Sequence, residues 1–229
     1  MTAQVTWALI VNSSLIVYWQ ILHILNTPSL LAQIRSELEP HVKIHKPFTI
    51  GRISEAPRIT IDPEGLTTCH LLKATYLEAL RISAQPWSVR IVSTSVTVYG
   101  DSPTSNFHLK KGEYVTMPHD LHMTDPAYFP DPTKFDAERF LVRDEDGKIT
   151  GTDMKTIRPY GGGPSLCKGR VLAERECLAL VAGVLAYWDF APDEESGFRI
   201  PGFVKTAAIA RPDGDTRVRV KRRRFEWDE

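Results

Sequence analysis

Three cysteines in 229 residues are too few for a disulfide framework, and Cys69, Cys167 and Cys177 form no C-x-x-C pair. No histidine pair stands at ligand spacing beside them, which excludes a zinc site of ordinary pattern. Charge of one sign is also missing: Lys plus Arg and Asp plus Glu both number 28, so no bulk field points to nucleic acid or an anionic membrane. Internal repeats and low-complexity segments are absent. Residues 5–25 contain no Lys, Arg, Asp or Glu. A run of that length could be mistaken for a transmembrane helix. Asn12, Ser13, Ser14, Gln20 and His23 interrupt it, and no basic residue precedes it as a signal peptide requires, so a buried helix fits better. Hydrophobic residues make up 42% of the chain, enough for a sizeable core in one large domain or two small ones.

What is present is a glycine-rich loop holding one cysteine, Tyr160-Gly161-Gly162-Gly163-Pro164-Ser165-Leu166-Cys167-Lys168-Gly169-Arg170. A phosphate-binding P-loop needs Gly-Lys before Ser or Thr, and the order here is Lys168-Gly169-Arg170. A G-x-S-x-G nucleophile elbow needs glycine where Cys167 stands. Val171, Leu172, Leu178, Val181, Ala182 and Leu185 recur at helical spacing, so the loop opens a helix whose N–H groups favour a thiolate. Glycines also let a flat macrocycle approach the backbone. One axial thiolate on haem iron favours O–O cleavage.

The loop resembles the haem-binding signature of the cytochrome P-450 family, F-x-x-G-x-x-x-C-x-G, with Tyr160 for Phe and with Gly163, Cys167 and Gly169 in place. Ser165 stands where the family often carries Arg or His for a haem propionate. Upstream, Glu78-Ala79-Leu80-Arg81 matches E-x-x-R on a stretch of good helix formers, where i and i+3 share a face. Phe135-Asp136-Ala137-Glu138-Arg139-Phe140 resembles the P-E-R-F segment, and 119–132 resembles the H-x-D-P-x-x-F-P-D-P run. The resemblance implies a buried network of Glu78, Arg81 and Arg139; the plain alternative for the first two is a surface ion pair. It also implies that Cys167 is the axial metal ligand, that Tyr160, Gly161, Gly163 and Gly169 cradle the haem, and that Arg90 pairs with a propionate, against the alternative of an exposed strand arginine.

Residues 7–19 resemble the family's long helix over the distal haem face, with Asn12-Ser13 in place of the usual acid and threonine. This W-A-x-x-x-N form is similar to the branch of sterol 7α-hydroxylases, prostacyclin synthases and fungal relatives, though Leu15 stands where that branch often has Pro. Asn12 and Ser13 are therefore the catalytic candidates; the alternative is a pair of satisfied helix polars. Asparagine cannot titrate, so a hydroxylase here needs a water chain or Ser13 itself, whereas a peroxide isomerase needs no proton delivery.

The sequence predicts a mainly α chain with a minor β region, the C-terminal part of the cytochrome P-450 fold and incomplete. Its parts are the distal and following helices at 1–40, the E-x-x-R helix at 66–84, a β region at 85–118, the meander and haem loop at 119–170, a helix at 171–190 and a C-terminal hairpin at 197–222. Strands are expected at 88–92 and 95–99 before a turn at 100–103, with a short strand at 110–115. Residues 142–149 read as a charged surface loop, and Cys69 and Cys177 as core residues of helices. The hairpin, read at 197–209, makes Val204, Lys205, Thr206 and Ala207 substrate candidates, or else an edge hairpin. The basic tail at 217–224 reads as the solvated face and frayed end of a closing strand, with nucleic acid or lipid headgroups as the alternative.

The expected activity is hydroxylation of a small hydrophobic lipid, sterol or terpenoid-like substrate by a haem monooxygenase fed by NADPH-cytochrome P-450 reductase at the endoplasmic reticulum. The rivals are a lipid-peroxide isomerase on the same fold and a catalytically silent fragment or weak haem-binding protein. Because the recognised motifs all belong to the C-terminal half of the family fold, the chain alone is expected not to turn over substrate.

Overall fold

The uncharged run folds as one long helix, α1 (Ala3–Leu25), laid through the middle of the molecule. The computed structural model describes residues 3–47, 49–50, 53–54, 56–100, 102, 105–193 and 195–225. The side chains of Trp7 and Ala8, and Asp101 and Pro103 of the expected turn, lie outside the described residues. Ile16, Trp19, Leu22, Ile24 and Leu25 of α1 are buried, each such side chain contributing about 1.5–3 kcal/mol of transfer free energy. Its polar residues are used as well: Trp19 Nε1 donates to the Ala210 carbonyl at 2.8 Å, and Gln20 Nε2 donates to the Leu72 carbonyl and to Thr75 Oγ1. No single helix among the described residues is long and apolar enough to cross a membrane.

Helix α1 stops where Pro28 removes an N–H and fixes the next turn, and the chain bends by 114° into α2 (Pro28–Leu38). Asn26 Nδ2 and Thr27 Oγ1 donate to the Leu22 and His23 carbonyls in the last turn of the helix, the first of which also accepts the Asn26 N–H. From α2, Glu37 reaches the start of α3 (His70–Ser83), where its two oxygens accept the N–H groups of Leu71 and Leu72, both at 2.9 Å. Cys69 at the N-cap makes no capping bond, so a carboxylate from another helix does that work at the positive end of the α3 dipole. Arg35, two residues before Glu37, donates to the Leu185 and Trp188 carbonyls at the far end of α5 (Arg170–Tyr187). A short α4 (His119–Met123) completes the helices. Around α1, α3 and α5 lie seven two-stranded antiparallel pairs among the described residues.

Several elements differ from the sequence reading. The helix after the cysteine ends at Tyr187 rather than 190, because Trp188–Pro192 alternates and pairs with Val218–Arg222. The charged loop at 142–149 is a hairpin of Leu141–Arg143 with Ile149–Thr152, turned at Asp146-Gly147, where Gly147 has φ +78°. Four charges in five residues masked its short strands. Strands fall at Trp87–Ile91 and Val96–Val98, while 110–113 is a turn and the expected third strand begins only at Tyr114. The C-terminal hairpin pairs Gly202–Val204 with Arg211–Asp213, so residues 205–210 connect its arms and Val218–Arg222 belongs elsewhere. Cys69 stands at the N-cap position of α3 rather than within the helix. The pair Val42–His45 with Arg58–Ile61 has no counterpart in the sequence reading.

His23 gives this core an acid-sensitive point. Its ring stacks on Phe135 at 4.4 Å and 9°, its Nε2 has no hydrogen-bond partner among the described residues, and burial lowers its pKa from 6.5 to about 4. The unfolded chain takes up this proton near pH 6.5 and the folded chain only near 4. The contribution is complete above pH 6.5 and falls away as pH drops toward 4, by about 3 kcal/mol in all. Urea unfolding across that window should show a steep loss in the wild type and a shallower one in His23→Phe; parallel slopes would place the acid sensitivity in other groups.

Candidate functional site

The glycine-rich loop is shaped by its own backbone. Gly161 and Gly163 take φ +71° and +63°, the left-handed region that side chains disfavour, and Gly163–Ser165 forms one 3-10 turn. The Cys167 N–H then donates to the Tyr160 carbonyl at 3.1 Å and closes the loop. Cys167 is exposed and lies two residues before Gly169, the N-cap of α5. Its sulfur has no hydrogen bond among the described residues. Cys69 and Cys177 are buried, and burial pushes both thiols up to about 12.

One cleft of about 330 Å³ gathers most of the candidates. Asn12 and Ser13 enter it from α1, Arg90 from the Trp87–Ile91 strand, and Tyr160, Gly161, Cys167 and Gly169 from the loop and helix mouth. Ala207 enters from the C-terminal hairpin, whereas Gly163, Val204, Lys205 and Thr206 do not line the cleft. Lys205 is largely exposed, 4.0 Å from Asp120, and the Thr206 N–H is held by Gln85 Oε1 at 2.9 Å. The hairpin wall of the cleft is instead Ala207, Ala208 and Ile209, because the arms pair further along than the sequence reading placed them.

Polar contacts fix the cleft's walls. Arg90 donates to the Gly162 carbonyl at 3.2 Å, tying the strand to the loop. Ser13 Oγ donates to Glu176 Oε2 at 3.0 Å, while Asn12 Oδ1 is buried with no hydrogen-bond partner among the described residues. Sequence reasoning missed Tyr76, whose hydroxyl pairs with that of Tyr160 at 2.7 Å within the same cleft. Burial raises both phenols above their ordinary value. Tyr76 and Leu80 of α3 and Ala84 just past its end fall every four residues and all line the cleft, a spacing that any core-facing helix stripe shares.

About 200° around α3 from Tyr76 lies Glu78, which with Arg81 is wholly inaccessible to solvent. Glu78 accepts Arg81 Nε at 2.7 Å, Arg81 Nη2 at 2.8 Å and the Asp136 N–H at 2.9 Å. Arg81 also donates to the Met123 and Pro132 carbonyls and lies over the Phe129 ring. Arg139 joins by charge alone: its Nε is 3.4 Å from Glu78 Oε1 but not aligned as a hydrogen bond, and its Nη2 donates to the Asp131 carbonyl. Burial pushes the Glu78 carboxyl up, while Arg81, the Asp136 N–H and Arg139 pull against it.

The cytochrome P-450 family model matches residues 2–213, nearly the whole chain. The chain belongs to the cytochrome P-450 family. It is 30% identical over 185 residues to the cytochrome P-450 monooxygenase poxD of Penicillium oxalicum, a match covering 80% of this chain and 35% of that protein. It is 26% identical over 224 residues to a 25-hydroxycholesterol 7-alpha-hydroxylase of Rattus norvegicus, covering 94% and 51%. Its fold is similar to the crystal structure of a cytochrome P-450 (CYP102L1), with TM-score 0.67 at 20% identity over 93% of this chain and 42% of that one. The chain thus spans between about a third and a half of these proteins, as a mainly helical part of the cytochrome P-450 fold.

A cytochrome P-450 implies a haem, and the residues present fit one. No cluster of three His, Cys, Asp or Glu that could hold a metal occurs among the described residues; of the two thiols that line this cleft, Cys177 is buried with its pKa pushed up, and Cys167 is the exposed one an iron could draw on. That donor set suits an iron already held by four ring nitrogens and unsuits a bare cation. Gly162 and Gly169 have backbone angles that any residue adopts, and a Cβ added at either meets no protein atom within 4 Å. Nothing in the chain requires glycine there, whereas a flat ring against the loop would.

The ion-pair geometry ranks the network's members. Arg81→Ala strands a buried carboxylate and should cost about 3–5 kcal/mol in urea unfolding, while Arg139→Ala removes an unaligned pair and should cost less, about 1 kcal/mol. Equal losses would mean that Arg139 carries more of the network than its geometry shows.

Proposed function

We propose that this chain forms the thiolate-bearing part of a haem monooxygenase that hydroxylates a hydrophobic lipid, sterol or terpenoid-like substrate, with Cys167 as the axial ligand. The observation that carries this reading is the single cleft shared by the exposed Cys167 thiol and the Asn12-Ser13 step of α1. When bound, haem supplies dioxygen chemistry at an iron whose thiolate donates electron density. The remaining work belongs to the chain. Arg90 offers a guanidinium to a propionate from the strand that also holds the Gly162 carbonyl. Tyr160 and the bare glycines leave room for a flat ring.

Asn12 Oδ1, buried and unpartnered, accepts a hydrogen bond from water or a substrate hydroxyl and cannot itself deliver a proton. Ser13 gives its own proton to half-buried Glu176, so a carboxylate of α5 stands behind the hydroxyl where most relatives carry an acid on the α1 helix. Leu80, Ala207 and Ile209 present apolar surface to the same space, which suits an apolar substrate. The sterol 7α-hydroxylase relative supports the lipid class. NADPH-cytochrome P-450 reductase is the proposed electron source and the endoplasmic reticulum surface the proposed location. A peroxide isomerase is the second reading, favoured by the non-titrating Asn12 and separated by its independence of a reductase.

Haem titration tests the ligand. The wild-type chain should give the red-shifted Soret band of a thiolate-ligated ferrous carbonyl adduct, Cys177→Ala should keep it and Cys167→Ala should lose it. Retention of that band by Cys167→Ala would refute the assignment.

A further inference from the structure

The charges of this chain balance, yet one recess of about 550 Å³ is lined by Arg35, Lys221, Arg222, Arg223 and Arg224 against a single carboxylate, Asp189. Part of this cluster is structural. Arg35 donates to the Leu185 and Trp188 carbonyls and Arg223 to the Ala186 carbonyl, all at the C-terminal end of α5, where cations are favoured. Asp189 is shared between them, 2.8 Å from Arg35 and 3.8 Å from Arg223. Lys221, Arg222 and Arg224 are surplus: all three are exposed, and none pairs with a carboxylate among the described residues. Burial and the Arg35 charge both disfavour the Arg223 cation, so the shared carboxylate does not fully offset the crowding.

A second recess of about 330 Å³ adjoins the first, because Arg35 and Arg223 line both. Apolar Leu38, Val42, Ile44 and Phe225 share its walls with Arg35, Ser36 and Arg223, and Glu39 is its one acid. A basic recess continuous with one that has an apolar wall suits a ligand with an anionic head and a hydrocarbon part. Guanidinium forks match the oxygens of a phosphate in pairs, which favours phosphate over a lone carboxylate. We propose that the two recesses together bind an amphiphilic phosphate, the chemistry of an anionic phospholipid, with the phosphate against Lys221, Arg222 and Arg224 and the apolar part against Val42 and Ile44. This site shares no residue with the cleft around Cys167 and stands independently of the haem reading.

The test uses the whole chain in three binding arms: vesicles of phosphatidylcholine with and without phosphatidic acid, a dissolved short-chain phosphatidic acid, and inorganic phosphate. The chain should sediment with the acidic vesicles, bind the short-chain lipid, bind inorganic phosphate far more weakly, and release as salt rises. The exposed triple variant Lys221→Glu, Arg222→Glu, Arg224→Glu should weaken binding by more than about a hundredfold, since each cation near an anionic surface contributes about a factor of five. Should that variant fail to fold by circular dichroism, Lys221→Gln with Arg224→Gln should show the same loss in smaller measure. Ile44→Ser should weaken the short-chain lipid and leave inorganic phosphate unchanged.

Equal binding to neutral vesicles, indifference to the charge changes, or inorganic phosphate competing as well as the lipid would each overturn the proposal. So would binding to acidic vesicles with none to the dissolved lipid, which marks a flat electrostatic contact instead of the paired recesses. The chain continues through Glu226, Asp228 and Glu229. A chain ending at Phe225 should bind at least as tightly, and loss of binding on that deletion would also overturn it.

Discussion

The pairing of Glu78 with Arg81, both out of reach of solvent, is the constraint on which the rest of this structure leans. A buried ion pair is viable only when its remaining donors and acceptors are met. Here they are met by backbone: the Met123 and Pro132 carbonyls take Arg81, and the Asp136 N–H takes Glu78. The stretch between α4 and Ala137 has neither helix nor strand to absorb its polar groups. The ion pair on α3 serves as its organising partner, and the stretch in turn makes the burial of two charges tolerable. Each side meets polar groups that the other leaves buried, which ties the motif at 78–81 to the segment around 136–139.

The same helix positions the thiol from its other side. Tyr76 holds Tyr160 through their hydroxyls, and the Tyr160 carbonyl accepts the Cys167 N–H, so only two hydrogen bonds separate the sulfur-bearing residue from α3. Arg90, seven residues beyond Ser83 at the end of α3, grips the Gly162 carbonyl from the opposite arm of the loop. A loop rich in glycine would otherwise lose its shape to backbone entropy. Tyr160 therefore does more than the phenylalanine of the usual signature, since its hydroxyl makes the loop answer to the position of α3.

What could be read in the sequence followed from local chemistry. Cys167 was legible because glycines, a lone thiol and the start of a periodic helix fall within eleven residues, and Glu78 and Arg81 because i,i+3 spacing sets them on one face. The family follows from those motifs and from the match over residues 2–213. Tyr76 was not legible, since a tyrosine among good helix formers looks like any core residue until its partner, 84 residues away, is known. The role of Glu37 is hidden for the same reason: it caps α3 from α2, where the residue at the N-cap itself, Cys69, carries no capping signal. The strand at Trp188–Pro192 was lost because its pairing with Val218–Arg222 is tertiary, and the helix pattern before it runs on without a glycine stop. The hairpin wall shifted by a few residues for lack of any local signal to fix its register.

The Trp87–Ile91 strand shows how closely order in the cleft is coupled to what enters it. Its pairing with Tyr114–Pro118 is two-stranded, a unit of marginal stability by itself. One face gives Ser88 and Arg90 to the cleft, where Ser88 meets His119 and Arg90 meets the loop. The other presents Val89 and Ile91 at 49% and 61% exposure beside Tyr114 at 70%, while Trp87, at the start of the strand, also lines the cleft. Side chains alternate across a strand, so the residues that serve the cleft fix which residues face outward, and the outward set is an apolar surface of the kind that drives association. From the cleft side the strand is held by two polar contacts, one to the first residue of α4 and one to the glycine-rich loop. A ligand contacting both Arg90 and Cys167 would join that strand to the loop and add its binding free energy to the stability of both. In this part of the fold, filling the cleft and ordering its walls are one equilibrium.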